Sequence, residues 1–212
     1  MSRTPKVEES VLLECTFRVY LKSGSLKATT IQNIENEFKR TLKVKKTRGA
    51  IFYSHKDKES LFRAMIDHFV LNKQSLTTKI SKQTDTLIDF IAEYCKGVGE
   101  NMVKMRELLY DVENPHKQYL SLVLQAQHNY PGFDEKIRSV FREEVAIWTD
   151  VIEKAKKNGE VRADVNSKDA ADFFRFIFVG LSYDTAFFTG LDPVLLENKL
   201  MTYYYQIRTS KI

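Results

Sequence analysis

Apolar residues recur at three- and four-residue spacing along almost the whole chain, and very little interrupts them. The 212 residues include only four prolines and eight glycines. Breakers this sparse leave long helical stretches and little of the turn chemistry that a sheet needs. The spacing predicts an all-α protein of about nine or ten helices, with no convincing strand, internal repeat or low-complexity segment.

The first helix is expected over Val7 to Ser23, with Val11, Leu12, Cys15, Val19 and Tyr20 on one face and Gly24 as its stop. A second begins at Thr29 or Thr30, where Thr29 and Gln32 have capping-box spacing, and carries the stripe Ile31, Ile34 and Phe38. A short helix fits Thr47 to His55. Asp57 is a candidate N-cap for a long helix reaching toward Ile80. Further helices are expected over 85–98 and 101–112, divided where Gly97 and Gly99 weaken the pattern, then over 116–129 and 133–157. Asn166 or Ser167 starts a segment running to about Thr189 that is apolar around most of its circumference, so it should be buried on two sides. Asp192 and Pro193 open a last helix to about Arg208.

Charge is distributed unevenly. The formal net charge is +5, but residues 1–60 hold 13 Lys and Arg against 7 Asp and Glu, while the rest hold 20 against 21. The basic excess therefore belongs to one end, as in a module that meets a polyanion. Cys15 and Cys95 are too few and too far apart for a disulfide framework or a zinc site, and read as buried thiols. The charged N-terminus resembles no signal peptide, and no apolar run would span a membrane. A soluble cytoplasmic protein is expected.

Catalytic signatures are missing: there is no GxGxxG, Walker loop, HExxH or GxSxG. His55, His68, His116 and His128 are scattered. The reading is therefore of a non-enzyme with no metal or cofactor. The basic end offers a different chemistry. Six of the ten residues from Lys39 to Arg48 are basic, and two helices joined there have the layout of a helix-turn-helix. The second helix would enter a DNA major groove. Thr47 and Arg48 would reach base edges or phosphate, Gly49 would permit close approach, and Tyr53 would offer a hydroxyl to phosphate. Thr29, Thr30 and Lys58 stand at helix starts, where backbone N–H groups favour an anion.

These residues resemble the N-terminal domain of the tetracycline-repressor (TetR) family of bacterial transcription regulators. That family's pattern runs Phe-x-x-x-Gly, then Thr-Thr-x-x-x-Ile-Ala, then Gly-x-Leu-Tyr-x-His-Phe-x-x-Lys-Glu-x-Leu. Here the corresponding pieces are Tyr20 to Gly24, Thr29 to Ile34, Gly49 to Tyr53, and Lys58-Glu59-Ser60-Leu61. Gly159 to Asp164 and the aromatic helix after it resemble the family's effector domain less specifically. Glu35 replaces an alanine, Ser54-His55 replaces His-Phe at the cost of a core aromatic, and Phe52 replaces a tyrosine. The eight residues between Phe38 and Thr47 exceed an ordinary turn. Either Leu42 extends the second helix by a turn, which is preferred here, or Thr41 to Lys45 form an extended loop. In both cases Lys43, Lys45 and Lys46 gain reach toward phosphate.

The resemblance implies a DNA-binding domain over residues 1–56 and a ligand-binding and dimerisation domain over 57–212, joined by a long helix at about 57–80. It implies a homodimer on a palindromic double-stranded operator, acting as a repressor that answers to a small effector, with no membrane partner. The dimer seam would take Phe141, Trp148, Phe174, Phe178 and Leu181. An effector pocket would draw on Tyr94, Met102, Met105, Tyr110, Tyr119, Trp148, Phe176 and Tyr183, and the effector would be mainly apolar. The alternative is an all-helical small-molecule or protein-binding scaffold whose DNA head is altered or no longer works.

Overall fold

The computed structural model describes residues 9–43, 55–72, 76, 79–80 and 84–210. Among them the fold is all-helical. The elements are α1 (Glu9–Ser23), α2 (Ile31–Leu42), α3 (Lys58–Ile66, continued by a π-helical turn Asp67–Leu71), α4 (Leu87–Leu108), α5 (Pro115–Asn129), α6 (Phe133–Lys157), α7 (Ser167–Ala186) and α8 (Pro193–Ile207). The expected helix over Thr47 to His55 lies almost wholly outside the described residues.

Local chemistry sets most of the boundaries. Gly24 ends α1 with φ +72°, and its N–H donates to Tyr20 O, the left-handed stop that glycine adopts without a β-carbon penalty. Asp57 caps α3 in a reciprocal box with Ser60. Asn166 caps α7 through the N–H groups of Lys168 and Asp169, and Asp192 caps α8 ahead of Pro193. One expectation fails. The predicted break at Gly97 and Gly99 does not occur, and α4 runs through both as one 22-residue helix. Gly97 instead serves packing, because a β-carbon there would lie 1.8 Å from Lys79 O. The long helix also falls short of Ile80, which is outside any helix.

The chain forms two compact units. The first comprises residues 1–72 and 106–134, the second 73–105 and 135–212. In the first, α1 lies at the centre, burying Leu12, Phe17, Tyr20 and Leu21. Phe17 stacks on Phe69 with ring centroids 4.3 Å apart, and Tyr20 meets Phe62 at 5.2 Å. Each such side chain contributes about 1.5–3 kcal/mol by leaving water. Gln125 of α5 accepts from Tyr20 Oη at 2.7 Å and donates to Gly24 O at 2.8 Å, which satisfies the end of α1.

The second unit is built around Trp148, fully buried and stacked on Phe174 at 4.7 Å, with Phe90 and Tyr94 edge-on. The segment after α6 closes it. Glu160 accepts from the N–H groups of Leu87 and Ile88 at 2.8 and 3.0 Å, capping α4, and also from Tyr204 Oη at 3.1 Å. Backbone bonds from Arg162 N to Ile207 O and from Thr209 N to Glu160 O tie the C-terminal end to this turn. No helix among the described residues is long and apolar enough to cross a membrane.

Candidate nucleic-acid interface

The turn between α1 and α2 is held from both sides. Thr30, not Thr29, caps α2, accepting from Asn33 N at 3.1 Å. Thr29 is only 1% exposed and donates its hydroxyl to Ser25 O at 2.9 Å. A buried, spent hydroxyl cannot reach a phosphate, so the Thr29 side chain does not make the contact expected of it. Thr30 is exposed at the helix start. Lys58 stands at the first position of α3 as expected, but its ammonium donates to Leu26 O at 2.9 Å and Thr29 O at 3.2 Å. Two of its three hydrogens thus pin the turn that presents Thr30.

α2 extends to Leu42, the longer of the two forms considered. Leu42 does not join the buried stripe; it is 40% exposed. Lys43 follows in the left-handed region at φ 54° and is exposed. The outer face of α2 presents Gln32, Asn33 and Asn36, with Gln32 Nε2 donating to Asn36 Oδ1 at 3.0 Å. As neutral amides these three carry no charge signal in the sequence. Lys45, Lys46, Thr47, Arg48, Gly49 and Tyr53 lie outside the described residues.

Several cations of the head serve the fold instead. Glu37 accepts from Arg18 at 2.7 Å and Arg40 at 2.8 Å, and Asp111 accepts from Lys22 at 2.6 Å and Arg40 at 3.2 Å. Arg18 Nε also donates to Leu108 O at 3.0 Å. Burial pushes the Glu37 carboxyl up, but the bonds from Arg40 and Arg18 outweigh it and leave it below its ordinary value. Asp111 is lowered likewise, with Lys22 outweighing burial. His55 is buried, with Nε2 3.5 Å from Glu9 Oε1. It occupies the core position from which an aromatic ring appeared to be lost.

In the second unit the expected pocket and seam residues separate. Tyr94 and Trp148 are buried against each other, Met102 packs at the margin of that core, and Met105 is half-buried. Tyr110 and Tyr119 belong to the other unit. Tyr110 is exposed beneath the Arg18 guanidinium, and Tyr119 donates to Phe69 O at 3.1 Å. Phe176 and Tyr183 are exposed on α7. Of the expected seam, Trp148 and Phe174 are wholly internal, so they cannot meet a partner. Phe178 and Leu181 are partly buried against the same core, and Phe141 lies under Arg175 at 3.9 Å. The outward face of α7 is instead Phe173, Phe176, Val179, Gly180 and Tyr183, continued by Phe187 at its C-cap.

That core also holds charge. Lys79 and Glu144 are both about 4% exposed, with Nζ and Oε1 3.9 Å apart, and Arg175 Nε lies 3.4 Å from Glu144 Oε2. Desolvation lowers the Lys79 ammonium and raises the Glu144 carboxyl. No group of side chains among the described residues could hold a metal ion.

No protein-family model and no curated protein matches the chain. Solved structures do. A TetR-family transcriptional regulator from Cytophaga hutchinsonii is 17% identical, with 96% of each chain covered and a TM-score of 0.67. TylP, a TetR regulator from Streptomyces fradiae, is 17% identical over 98% of this chain and 90% of its own, with a TM-score of 0.62. A complex of SmeT with triclosan is 16% identical over 96% and 92%, also at 0.62. These likenesses define an all-helical fold. It is the fold of the TetR-family transcriptional regulators.

Proposed function

We propose that this chain is a DNA-binding transcriptional regulator that acts as a homodimer and changes its DNA affinity when a small molecule binds the second unit. The observation that carries the reading is the TetR-family fold, shared over nearly the full length of both chains, on a chain whose basic excess lies wholly in its first 60 residues. The division into a DNA-binding domain over 1–56 and an effector and dimerisation domain over 57–212 belongs to this proposal.

In this reading Thr30, Lys43, Lys45, Lys46 and Tyr53 hold phosphates, while Thr47 and Arg48, with Gly49 between helix and groove, read bases. Lys58 acts mainly by fixing the turn that presents Thr30, and Gln32 and Asn33 add uncharged contacts beside it. The dimer forms through the outward face of α7, since an aromatic stripe of this length is costly to leave in water. SmeT's complex with triclosan supports a ligand-binding role for the second unit. The effector shifts the population toward a state whose two heads no longer fit two half-sites roughly 34–36 Å apart. Repression of a palindromic operator follows.

The test is selection of bound fragments from the source genome with the full-length protein. Recovery of a palindromic sequence bound with two chains per site is expected. Failure to enrich any sequence at low salt would overturn the reading and leave a helical ligand-binding scaffold.

A further inference from the structure

Three charged side chains meet within the core of the second unit. Lys79, Glu144 and Arg175 come from three separate places in the chain, the last two on α6 and α7, and meet beside Tyr94 and Phe178. The Lys79 ammonium sits 4.3 Å from the Phe178 ring centroid and 5.4 Å from that of Tyr94. Among the described residues its Nζ has no hydrogen-bond acceptor, and neither has the indole N–H of Trp148, one turn after Glu144 on α6. Its backbone is tightly placed, since Lys79 O occupies the space a β-carbon at Gly97 would need. The ammonium is thus delivered to this point by a specific contact and lies 3.9 Å from Glu144 Oε1 without a hydrogen bond.

A structural ion pair would close to hydrogen-bond distance, because only then does the attraction offset desolvation. At 3.9 Å from Lys79 and 3.4 Å from Arg175, Glu144 does not close either contact. Two cationic side chains face one carboxylate; among the described residues three donors, Lys79 Nζ, Arg175 Nε and Trp148 Nε1, lack acceptors, and Glu144 Oε1 lacks a donor. Such a set is complementary to a further anion, and the surrounding rings to an aromatic body.

We propose that the second unit binds a small aromatic carboxylate, whose anion accepts from Lys79 Nζ in the buried cluster with Arg175 and Glu144. This rests on the reading of that unit as the effector-binding part and names its ligand class. Glu144 holds the two cations in place and competes with the ligand for them. The site therefore discriminates against neutral isosteres, which leave the ammonium unpaired.

Binding can be measured on the full-length protein without DNA, by calorimetry and thermal shift. Benzoate and phenylacetate serve as probes, with benzamide and phenylacetamide as neutral isosteres. The carboxylates are expected to bind and raise Tm, and the amides to do neither. Lys79→Met should weaken carboxylate binding at least about tenfold. Glu144→Gln should strengthen it by about the same factor, because the internal competitor is gone. That gain separates a ligand site from a structural triad, where Glu144→Gln would lower Tm without tightening any probe. It also keeps the test decisive if Lys79→Met folds poorly. Equal binding of acids and amides, or no carboxylate binding to either the native chain or Glu144→Gln, overturns the proposal. Carboxylate binding without any effect on the selected operator supports the site and counts against the regulatory reading alone.

Discussion

A β-carbon at Gly97 would stand 1.8 Å from Lys79 O and 2.6 Å from its carbonyl carbon. Both obstacles are backbone, so no rotamer change relieves them. Gly97→Ala should cost about 1–3 kcal/mol or more, seen as a lower Tm. Ala is the better helix former, by about 0.8–1.0 kcal/mol, so a rise in Tm would show that the contact is not there. The carboxylates of the first unit give a second prediction at this scale. Glu37 and Asp111 have folded values below their ordinary ones. Their ionised forms therefore stabilise the native state, fully above about pH 5, and this contribution is lost as pH falls through the lowered values. Glu37→Gln should flatten the acid side of the Tm–pH profile. An unchanged profile would show that Arg18 and Arg40 hold Glu37 no better folded than unfolded.

α7 is the element where reading the pattern succeeded and failed at once. An apolar circumference predicted burial on two sides; the structure shows one, with Ala170, Ala171 and Phe174 inside and Phe173, Phe176 and Tyr183 exposed. The pattern did not say which aromatics were inside, because Phe173, Phe174 and Phe176 are the same residue type on different faces. Phe174 packs on Trp148, whereas Phe173 and Phe176 are 55% and 57% exposed. The outward set marks the proposed dimer seam, with Gly180 leaving room for close approach: no atom lies within 4 Å of a β-carbon built there. Phe176→Glu should convert dimer to monomer in sedimentation equilibrium while the helical circular-dichroism signal persists, since that side chain is 57% exposed. A dimer of native affinity would move the seam elsewhere. α4 teaches the converse lesson. Its two glycines are breakers by local propensity, but the helix persists because the chain at Lys79 packs where a side chain at Gly97 would be.

For the whole molecule, the separation of charge along the chain has a measurable consequence. Arg18, Lys22 and Arg40 are engaged by Glu37 and Asp111, so DNA binding should depend on the remaining cations of the head. Affinity for the selected operator should fall steeply between about 50 and 200 mM salt, by about 0.9 in log–log slope per phosphate neutralised. A flat response would remove the electrostatic basis of the proposal. Arg48→Ala should relax discrimination between operator and mismatched sites by about 1–3 kcal/mol. Lys58→Ala should weaken all sequences alike by loosening the turn at Leu26 and Thr29. The reverse pattern would misplace the recognition helix.

Helix type, order and most ends were legible from residues alone, because caps and stops are local. Gly24, Asp57, Asn166 and the Asp192-Pro193 pair each satisfy or end a helix through groups a few positions away. Roles that depend on what lies across from a side chain were not legible. Thr29 and Thr30 look interchangeable in sequence, yet one is buried and one caps. Lys58 reads as a free cation but is bound to two carbonyls, and His55 reads as a lost aromatic but fills the core. Lys79, Glu144 and Arg175 lie far apart along the chain, and no periodicity announces that they meet. By itself the sequence determined an all-helical chain with a basic head, since those properties sum over neighbouring residues. Only the tertiary structure decided which face of α7 looks outward and which charges are buried together, because both depend on contacts between residues distant in the chain.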